Sequence, residues 1–410
     1  MDRRPPSPEP AAAAAAAVAL VLGNDDLLVD ILLRLDSPTW LVRAALVCRR
    51  WIRRISDPAF LRRFRGLHPP RVLVLSAVGI GFGSSPPRLV PVPRPPELVA
   101  AARRAIGTLR RSDVCDRRNG RLLVEIDDRD PIKPSTFAIR SLLRGAQDKP
   151  IPQPPPSHSS SLVPGPALIG GEPDRPCLVR SGGICHGRRL LLLDDAPDGV
   201  SCLSLSLTYN DVHEIAAEFS ILQSGVWGVK RSAVTKLPQS MLDTMRAHDL
   251  LVGTKFYMMT TLGYILGLDL VTATFFTVKL PDEARNCKTL KLSRPQHSGL
   301  YLIHAKGFQL HVWHGDGLGQ WALVDTISVR DACAHLKVRR WVPDDARTAP
   351  VLVVAAGDNA EFVFVELVAS GLVCCIQLGN RAVEKVGPRM REDFICPIAM
   401  VWPPIFPVLK

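Results

Sequence analysis

The sequence predicts an α+β chain of more than one domain: a short helical unit near the N-terminus, then a long all-β region of β-propeller-like character, irregular or incomplete. Three observations predict it. Leucine-rich stripes at helical spacing fill residues 22–65 behind repeated helix-start signals. From about residue 110 onward, short apolar runs alternate with turn residues. Several of those runs recur as a strand, a polar turn and a returning strand, the unit from which radial blades are built.

The helical unit comes first. Asn24 is placed to cap a helix, with Asp25 and Asp26 in its first turn, where the positive end of the helix dipole favours carboxylates. Ser37-Pro38 opens a second helix, the serine as cap and the proline at the first helical position, where a missing N–H costs nothing. Asp57-Pro58 repeats the device before Phe60 and Leu61. Leu27, Leu28, Ile31, Leu32 and Leu35 form a broad stripe on the first helix. Leu41, Ala44, Ala45, Cys48, Trp51, Ile52 and Ile55 carry the helical period along the next segment, with Arg49, Arg50, Arg53 and Arg54 on the opposite, solvated side. Three short helices do not need so many apolar faces to cover one another, which predicts a partner. A self-contained bundle is the other reading of the pattern.

Order and spacing in this segment resemble the F-box family. The matching elements are Leu22-Gly23, Asp26-Leu27-Leu28, Ile31-Leu32, Leu35, Ser37-Pro38, Val47-Cys48-Arg49-Arg50-Trp51 and Asp57-Pro58-Ala59-Phe60. One element departs: Gly23 stands where the family carries proline. The resemblance implies a receptor subunit of an SCF-type (Skp–cullin–F-box) ubiquitin ligase, docked on the Skp-type adaptor and through it on the cullin. The adaptor-facing residues it implies are Leu22, Gly23, Ile31, Leu32, Leu35, Val47, Cys48 and Trp51. Physically, this is recognition of apolar anchors on helices by the pockets of a partner.

Composition narrows the rest. With 410 residues and 47% hydrophobic content the chain has material for two or three domains and a substantial core. The net charge of +12 is uneven, because residues 1–118 hold 20 of the 51 Lys+Arg and 10 of the 39 Asp+Glu. The remaining 31 basic and 29 acidic residues leave the C-terminal body at +2, which argues against a nucleic-acid groove there. Ten cysteines include no Cys-x-x-Cys pair, so the zinc spacings are missing and reduced thiols of a cytoplasmic or nuclear protein are expected. Residues 1–20 read as an Ala/Pro-rich disordered leader rather than a signal peptide, since prolines and acids interrupt the charged region and the apolar run continues into the helices. No membrane span is expected.

Past residues 21–66, which form the helical domain, residues 67–110 read as a connector with a strand at Arg71–Ser76 and a short helix at Glu97–Leu109. Residues 111–410 form the β-body, within which 150–166 is a Pro/Ser-rich surface loop. Repeat anchors at Phe137, Phe219, Leu268, Trp313 and Ile376 are 82, 49, 45 and 63 residues apart, bracketing one blade or nearly two. An irregular β-sandwich is the alternative. The connector Asp57–Pro70, the segment Pro91–Leu98 and the hairpins around 268–281 and 307–323 resemble plant F-box proteins with a propeller-like body.

No catalytic constellation emerges. Gly79-Ile80-Gly81-Phe82-Gly83 follows a strand as a dinucleotide fingerprint does, but Ser84-Ser85-Pro86-Pro87 replaces the helix that would meet a pyrophosphate. Cys185 and His186 point to opposite faces of a strand, as do His311 and His314, and the cluster with His304 near Trp313 reads as structural. Trp227, Trp313, Trp321, Trp341 and Trp402 read mainly as packing between sheets. Neither cofactor nor metal is implied. The expected function is target recognition for a ubiquitin ligase, with target-binding residues unassigned but drawn from loops at one rim. The alternative is a non-catalytic F-box/β-propeller binding protein that acts outside a ligase.

Overall fold

The computed structural model describes residues 14, 18–35, 38–68, 72–79, 88–91, 100, 103, 112–118, 121–126, 136–141, 148–156, 185–193, 201–209, 214–237, 245–260, 263–285, 287, 290–295, 299–388 and 393–399. They fall into two compact units that divide between Arg71 and Val72.

The first unit is helical. Residues 18–23 are helical and run up to Asn24, whose N–H donates to the Leu20 carbonyl at 3.1 Å. The leader expected to be disordered through residue 20 is therefore already helical from 18. Helices α1 (Asp25–Leu33), α2 (Pro38–Ala45), α3 (Arg49–Ile55) and α4 (Pro58–Leu67) then follow one another closely. Asn24 caps α1 by accepting from the backbone N–H groups of Asp26 at 2.9 Å and Leu27 at 3.2 Å. Asp57 caps α4 by accepting from Ala59 N–H at 2.8 Å. Each such cap contributes about 1 kcal/mol. Ser37 lies outside the described residues. The segment read from the sequence as one second helix is two, α2 and α3. The break falls at Leu46–Cys48, where the N–H groups of Leu46 and Val47 tighten onto Val42, Arg43 and Ala44 carbonyls and Cys48 turns extended, φ −162°.

The second unit is built from meander sheets. Strands β3–β6 (Ser112–Arg118, Arg121–Ile126, Thr136–Ser141, Lys149–Ile151) make the first blade. The second is five-stranded: β7 (Cys185–Leu192), β8 (Cys202–Tyr209), β9 (Glu214–Gln223), β10 (Val226–Trp227) and β11 (Arg231–Lys236). Strands β12–β15 (Met245–Val252, Lys255–Thr260, Tyr264–Asp269, Thr274–Lys279) form the third. The fourth comprises β16–β19 (Leu290–Ser293, Leu300–Lys306, Gln309–Gly315, Trp321–Ser328). The fifth comprises β20–β23 (Val351–Ala356, Phe362–Leu367, Leu372–Gln377, Val383–Pro388). A further three-stranded sheet joins the two ends of the unit: β1 (Val72–Gly79) pairs antiparallel with both β2 (Arg88–Pro91) and β24 (Asp393–Ala399). Strand β24 lies beside β20 just as β20 lies beside β16 and β16 beside β12. The first strand of each blade is therefore the inner one. The meanders are those of a propeller-like body, and the sandwich alternative falls away.

Blade packing explains why these strands are continuous apolar runs rather than alternating ones. In β13, Phe256 and Met258 join Leu203, Leu205 and Phe219 of the second blade, while Tyr257 and Met259 join Leu290, Leu300 and Leu302 of the fourth. Side chains of opposite parity thus face different blades, and both faces are buried. In β21, Val363 and Val365 likewise face a neighbour, packing with Ile303 and Val312 of the fourth blade, while Phe362 and Phe364 pack on the other face with Ala355, Val373 and Cys375 of their own blade. Burial of side chains of this size contributes about 1.5–3 kcal/mol each.

A polar belt ties the inner strands at the end where they finish. The buried Arg118, last residue of β3, donates to the Leu192 carbonyl and, at 2.9 Å, to the Leu251 carbonyl. Leu192 N–H donates to the Asp116 carboxylate at 2.7 Å. From the other side Arg294 Nε donates to the same Leu251 carbonyl at 3.0 Å. Ser293 Oγ donates to the Gly357 carbonyl at 2.5 Å and accepts from Ala360 N–H at 2.9 Å. Five blades are linked in turn through these groups.

The sequence-read surface loop at 150–166 begins as ordered structure. Pro150 and Ile151 belong to β6, Ile151 is in the core between the first two blades, and Trp227 Nε1 donates to the Pro152 carbonyl at 3.1 Å. Residues 157–166 lie outside the described residues, as do the glycines 81 and 83, most of the 97–109 helix and Trp402.

Candidate docking face on the N-terminal helices

The helical unit buries one set of side chains and exposes another. Leu28, Leu32 and Leu33 of α1, Leu41, Ala44 and Ala45 of α2, Ile55 of α3, and Phe60 and Phe64 of α4 form its interior. Phe60 stacks on Phe64 with centroids 5.7 Å apart, and Phe64 meets the His68 ring at 4.4 Å. His68 Nε2 lies 2.6 Å from the Leu33 carbonyl, which ends α1 against α4.

Left outside are several large apolar side chains. Leu46 is 77% exposed, Val47 62%, Trp40 54%, Leu27 45% and Ile31 39%. Leu27 and Ile31 are four residues apart and so share one face of α1. Of the residues predicted to dock, Ile31, Gly23, Val47 and Cys48 are exposed, and Leu22, Leu35 and Trp51 are half-buried. Leu32 is 1% exposed and belongs to the interior, so it supports the face from beneath rather than presenting itself. A Cβ placed on Gly23 meets nothing within 4 Å. Leu27, Trp40 and Leu46 are outside the expected adaptor-facing set, although Leu27 belongs to the same stripe and stands one helical turn before Ile31.

The arginines of α3 do more than solvate it. Arg50 Nε donates to the Asp25 carboxylate at 2.8 Å, while its terminal nitrogens donate to the carbonyls of Leu22 at 2.8 Å and Gly23 at 2.6 Å. Arg54 pairs with the same carboxylate. The Arg50 guanidinium, helped by Arg54, holds the Asp25 carboxyl below the usual carboxylate range. The clamp fixes the chain entering α1, where Leu22 and Gly23 sit. Its partners are 25 to 29 residues apart in sequence, beyond the reach of a periodicity argument.

Elsewhere the sequence-flagged groups are structural. His304 is fully buried, accepts from Trp313 Nε1 at 3.1 Å and lies 3.3 Å from Cys287 Sγ. Its ring meets that of His311 at 4.9 Å, and His311 Nδ1 is 3.5 Å from a Glu283 carboxylate oxygen. His314 turns away onto Tyr301, centroids 4.8 Å apart. Trp227, Trp313, Trp321 and Trp341 all pack against blade cores. Among the described residues no three His, Cys, Asp or Glu side chains are grouped to hold a metal, and no helix is long and apolar enough to cross a membrane.

Comparison with known proteins assigns both units. Residues 25–65 match the F-box-like family model, and residues 113–406 match the model described as F-box protein AT5G49610-like, beta-propeller. No curated protein matches the chain. Similar solved structures include apo AztD from Citrobacter koseri, 10% identical with TM-score 0.28, covering 60% of this chain and 49% of that one. BamB from Moraxella catarrhalis is 12% identical with TM-score 0.26 over 65% of this chain and 60% of its own. A protein from Lactobacillus plantarum is 9% identical with TM-score 0.36 over 78% and 82%. The chain thus spans about half the length of AztD, and scores this low carry no functional argument.

Proposed function

Starting from a chain that belongs to the F-box protein AT5G49610-like β-propeller family, with an F-box-like region before the propeller, we propose a target-recognition adaptor of an SCF-type ubiquitin ligase. The helical unit docks a Skp-type adaptor, and through it a cullin, while the β-body holds a protein target. The observation that carries this reading is the exposure of Leu27, Ile31 and Val47 at the family's docking elements, with Leu46 exposed beside them, where burial in a partner's pockets recovers the hydrophobic free energy the unit leaves unused. Gly23, Leu22, Leu35, Cys48 and Trp51 complete the docking set, with Leu32 beneath it. The chain performs no covalent step. It raises the effective concentration of target lysines near the ubiquitin-charged enzyme. A cytoplasmic or nuclear setting fits that work.

Co-purification of the full chain with a Skp-type adaptor tests the proposal. Ile31→Asp and Val47→Asp place charges on the exposed face and are expected to abolish capture without lowering the melting temperature. Capture that survives both substitutions sinks the docking assignment. An unmutated chain that binds no adaptor sinks the ligase reading and leaves a binding protein acting outside it.

A further inference from the structure

We propose that the end of the β-body where the inner strands begin carries a docking surface for an acidic segment of a protein target, formed by Lys306, Arg330, His335, Lys337 and Arg339 around the Phe308–Trp341 pair. The proposal rests on the target-recognition reading above and gives that target a chemistry.

Charge is concentrated there far beyond the body's average. Residues 119–410 carry a net charge of +2, whereas residues 329–342 alone hold Arg330, Lys337, Arg339 and Arg340 against Asp331, a net +3. The fold adds Lys306 to them, because the β17–β18 turn ends at Phe308, whose carbonyl accepts from Val329 N–H at 2.9 Å. All of these cationic side chains are exposed. Arg340 is paired with Asp344. Lys306, Arg330, Lys337 and Arg339 have no ion pair among the described residues, so their charge is available.

The surface is also organised. The Arg330 guanidinium lies 3.9 Å from the Phe308 ring centroid and 5.9 Å from that of Trp341, and the two rings meet edge to face at 5.9 Å. A guanidinium resting on an aromatic face loses little freedom when it then binds a carboxylate. Lys337 is held in the left-handed region, φ 48°, at the end of a short 3-10 turn, where the chain reverses between Leu336 and Val338 of the neighbouring core. Both features fix where the charges sit. A patch of this small extent suits a run of carboxylates; nucleic acid needs a longer track of cations to gain from counterion release.

The full chain and a fluorescein-labelled poly-glutamate peptide, followed by fluorescence anisotropy, provide the test. Lys337→Glu combined with Arg339→Glu is expected to weaken binding at least about tenfold, with unchanged melting temperature. Lys236→Glu with Lys279→Glu, an equal change of charge on other blades, is expected to leave it within about twofold. Arg330→Gln is expected to weaken binding separately. Equal losses in the two double variants would reduce the effect to net charge and overturn the site. So would binding that ignores both, or tighter binding of a single-stranded oligonucleotide lost in the same variants. None of these outcomes bears on adaptor capture by the helical unit, so either reading can fail alone.

Discussion

Trp313 donates its indole N–H to Nε2 of His304 at 3.1 Å, and that bond fixes the tautomer of a fully buried imidazole. With Nε2 accepting, the proton sits on Nδ1 and points at Cys287 Sγ, 3.3 Å away, whose own thiol faces the Glu283 carbonyl at 3.5 Å. The chain of donors and acceptors is complete only while His304 is neutral. Burial, with His311 next to it, lowers its pKa from 6.5 to about 4.

Acid should therefore destabilise the β-body through this residue. Above pH 6.5 the ring is neutral in both folded and unfolded chains and stability does not depend on it. As pH falls through 6.5 the unfolded chain takes up a proton that the folded chain refuses until about 4, and the accumulated cost approaches about 3 kcal/mol. Denaturant melts at intervals across that window are expected to show the fall. A His304→Gln chain, weaker at neutral pH, is expected to lose less on acidification; an identical pH slope in both proteins would contradict the assignment.

Gly267 is held by its neighbour rather than by backbone strain. It pairs across β14 and β15 with Phe276, whose ring would come within 2.2 Å of a Cβ at position 267. Gly315 and Trp321 repeat the arrangement in the fourth blade, 2.6 Å apart by the same measure. Gly267→Ala is expected to cost about 1–3 kcal/mol of stability. Adding Phe276→Ala should give a double variant less damaged than the sum of the two, since the clash requires both partners. Strict additivity in a thermal-melt cycle would refute the contact.

Local signals were legible and distant ones were not. The caps at Asn24 and Asp57, the leucine stripe of α1 and the meander hairpins all depend on residues a few positions apart, which a single sequence displays. The break at Leu46–Cys48 was hidden because the apolar period runs on across it while the backbone does not. Pro150 and Ile151 looked like a loop by composition, yet pairing with Ala138 and Phe137 makes them a strand. Pairing of Ser76 with Cys396 joins residues more than 300 positions apart, and no periodicity records it. At the docking face the identity of the elements is clear in the sequence, but which leucines of the stripe turn inward depends on α4, so the expected adaptor-facing set includes the buried Leu32 and leaves out the exposed Leu27.

Arg118 is expected to be the most costly polar truncation in the β-body. One buried guanidinium reaches the carbonyls of Leu192 and Leu251, so it joins three blades. Arg118→Ala strips both and leaves those buried carbonyls without their donor beside the half-buried Asp116, a loss of about 2–3 kcal/mol. Arg118→Lys should recover only part of it, because a single ammonium lacks the planar fork that spans two acceptors. Denaturant midpoints of the two variants, measured against the parent, decide the matter; equal midpoints for lysine and arginine would show that charge alone suffices.

Adaptor capture should depend on Arg50, although Arg50 is not an apolar anchor. Its guanidinium ties the carbonyls of Leu22 and Gly23 to the Asp25 carboxylate and so sets the path of the chain into α1. Arg50→Ala is expected to reduce capture by a Skp-type adaptor while α1 to α4 remain folded, because the interior at Leu28, Leu41 and Phe64 does not involve it. Arg50→Lys restores charge but cannot serve three acceptors at once and should rescue little. Hydrogen exchange supplies the second readout: amides near residues 22–27 should lose protection in Arg50→Ala, and those of α4 should not. The depressed Asp25 pKa gives the same clamp a pH signature. Its contribution is present above the ordinary carboxylate value of 3.8 and is lost as pH falls through the lower folded value, so protection of 22–27 should persist at pH 5 and fail only in stronger acid. Wild-type capture by Arg50→Ala, with exchange at 22–27 unaltered, would show that the clamp does not govern the docking face.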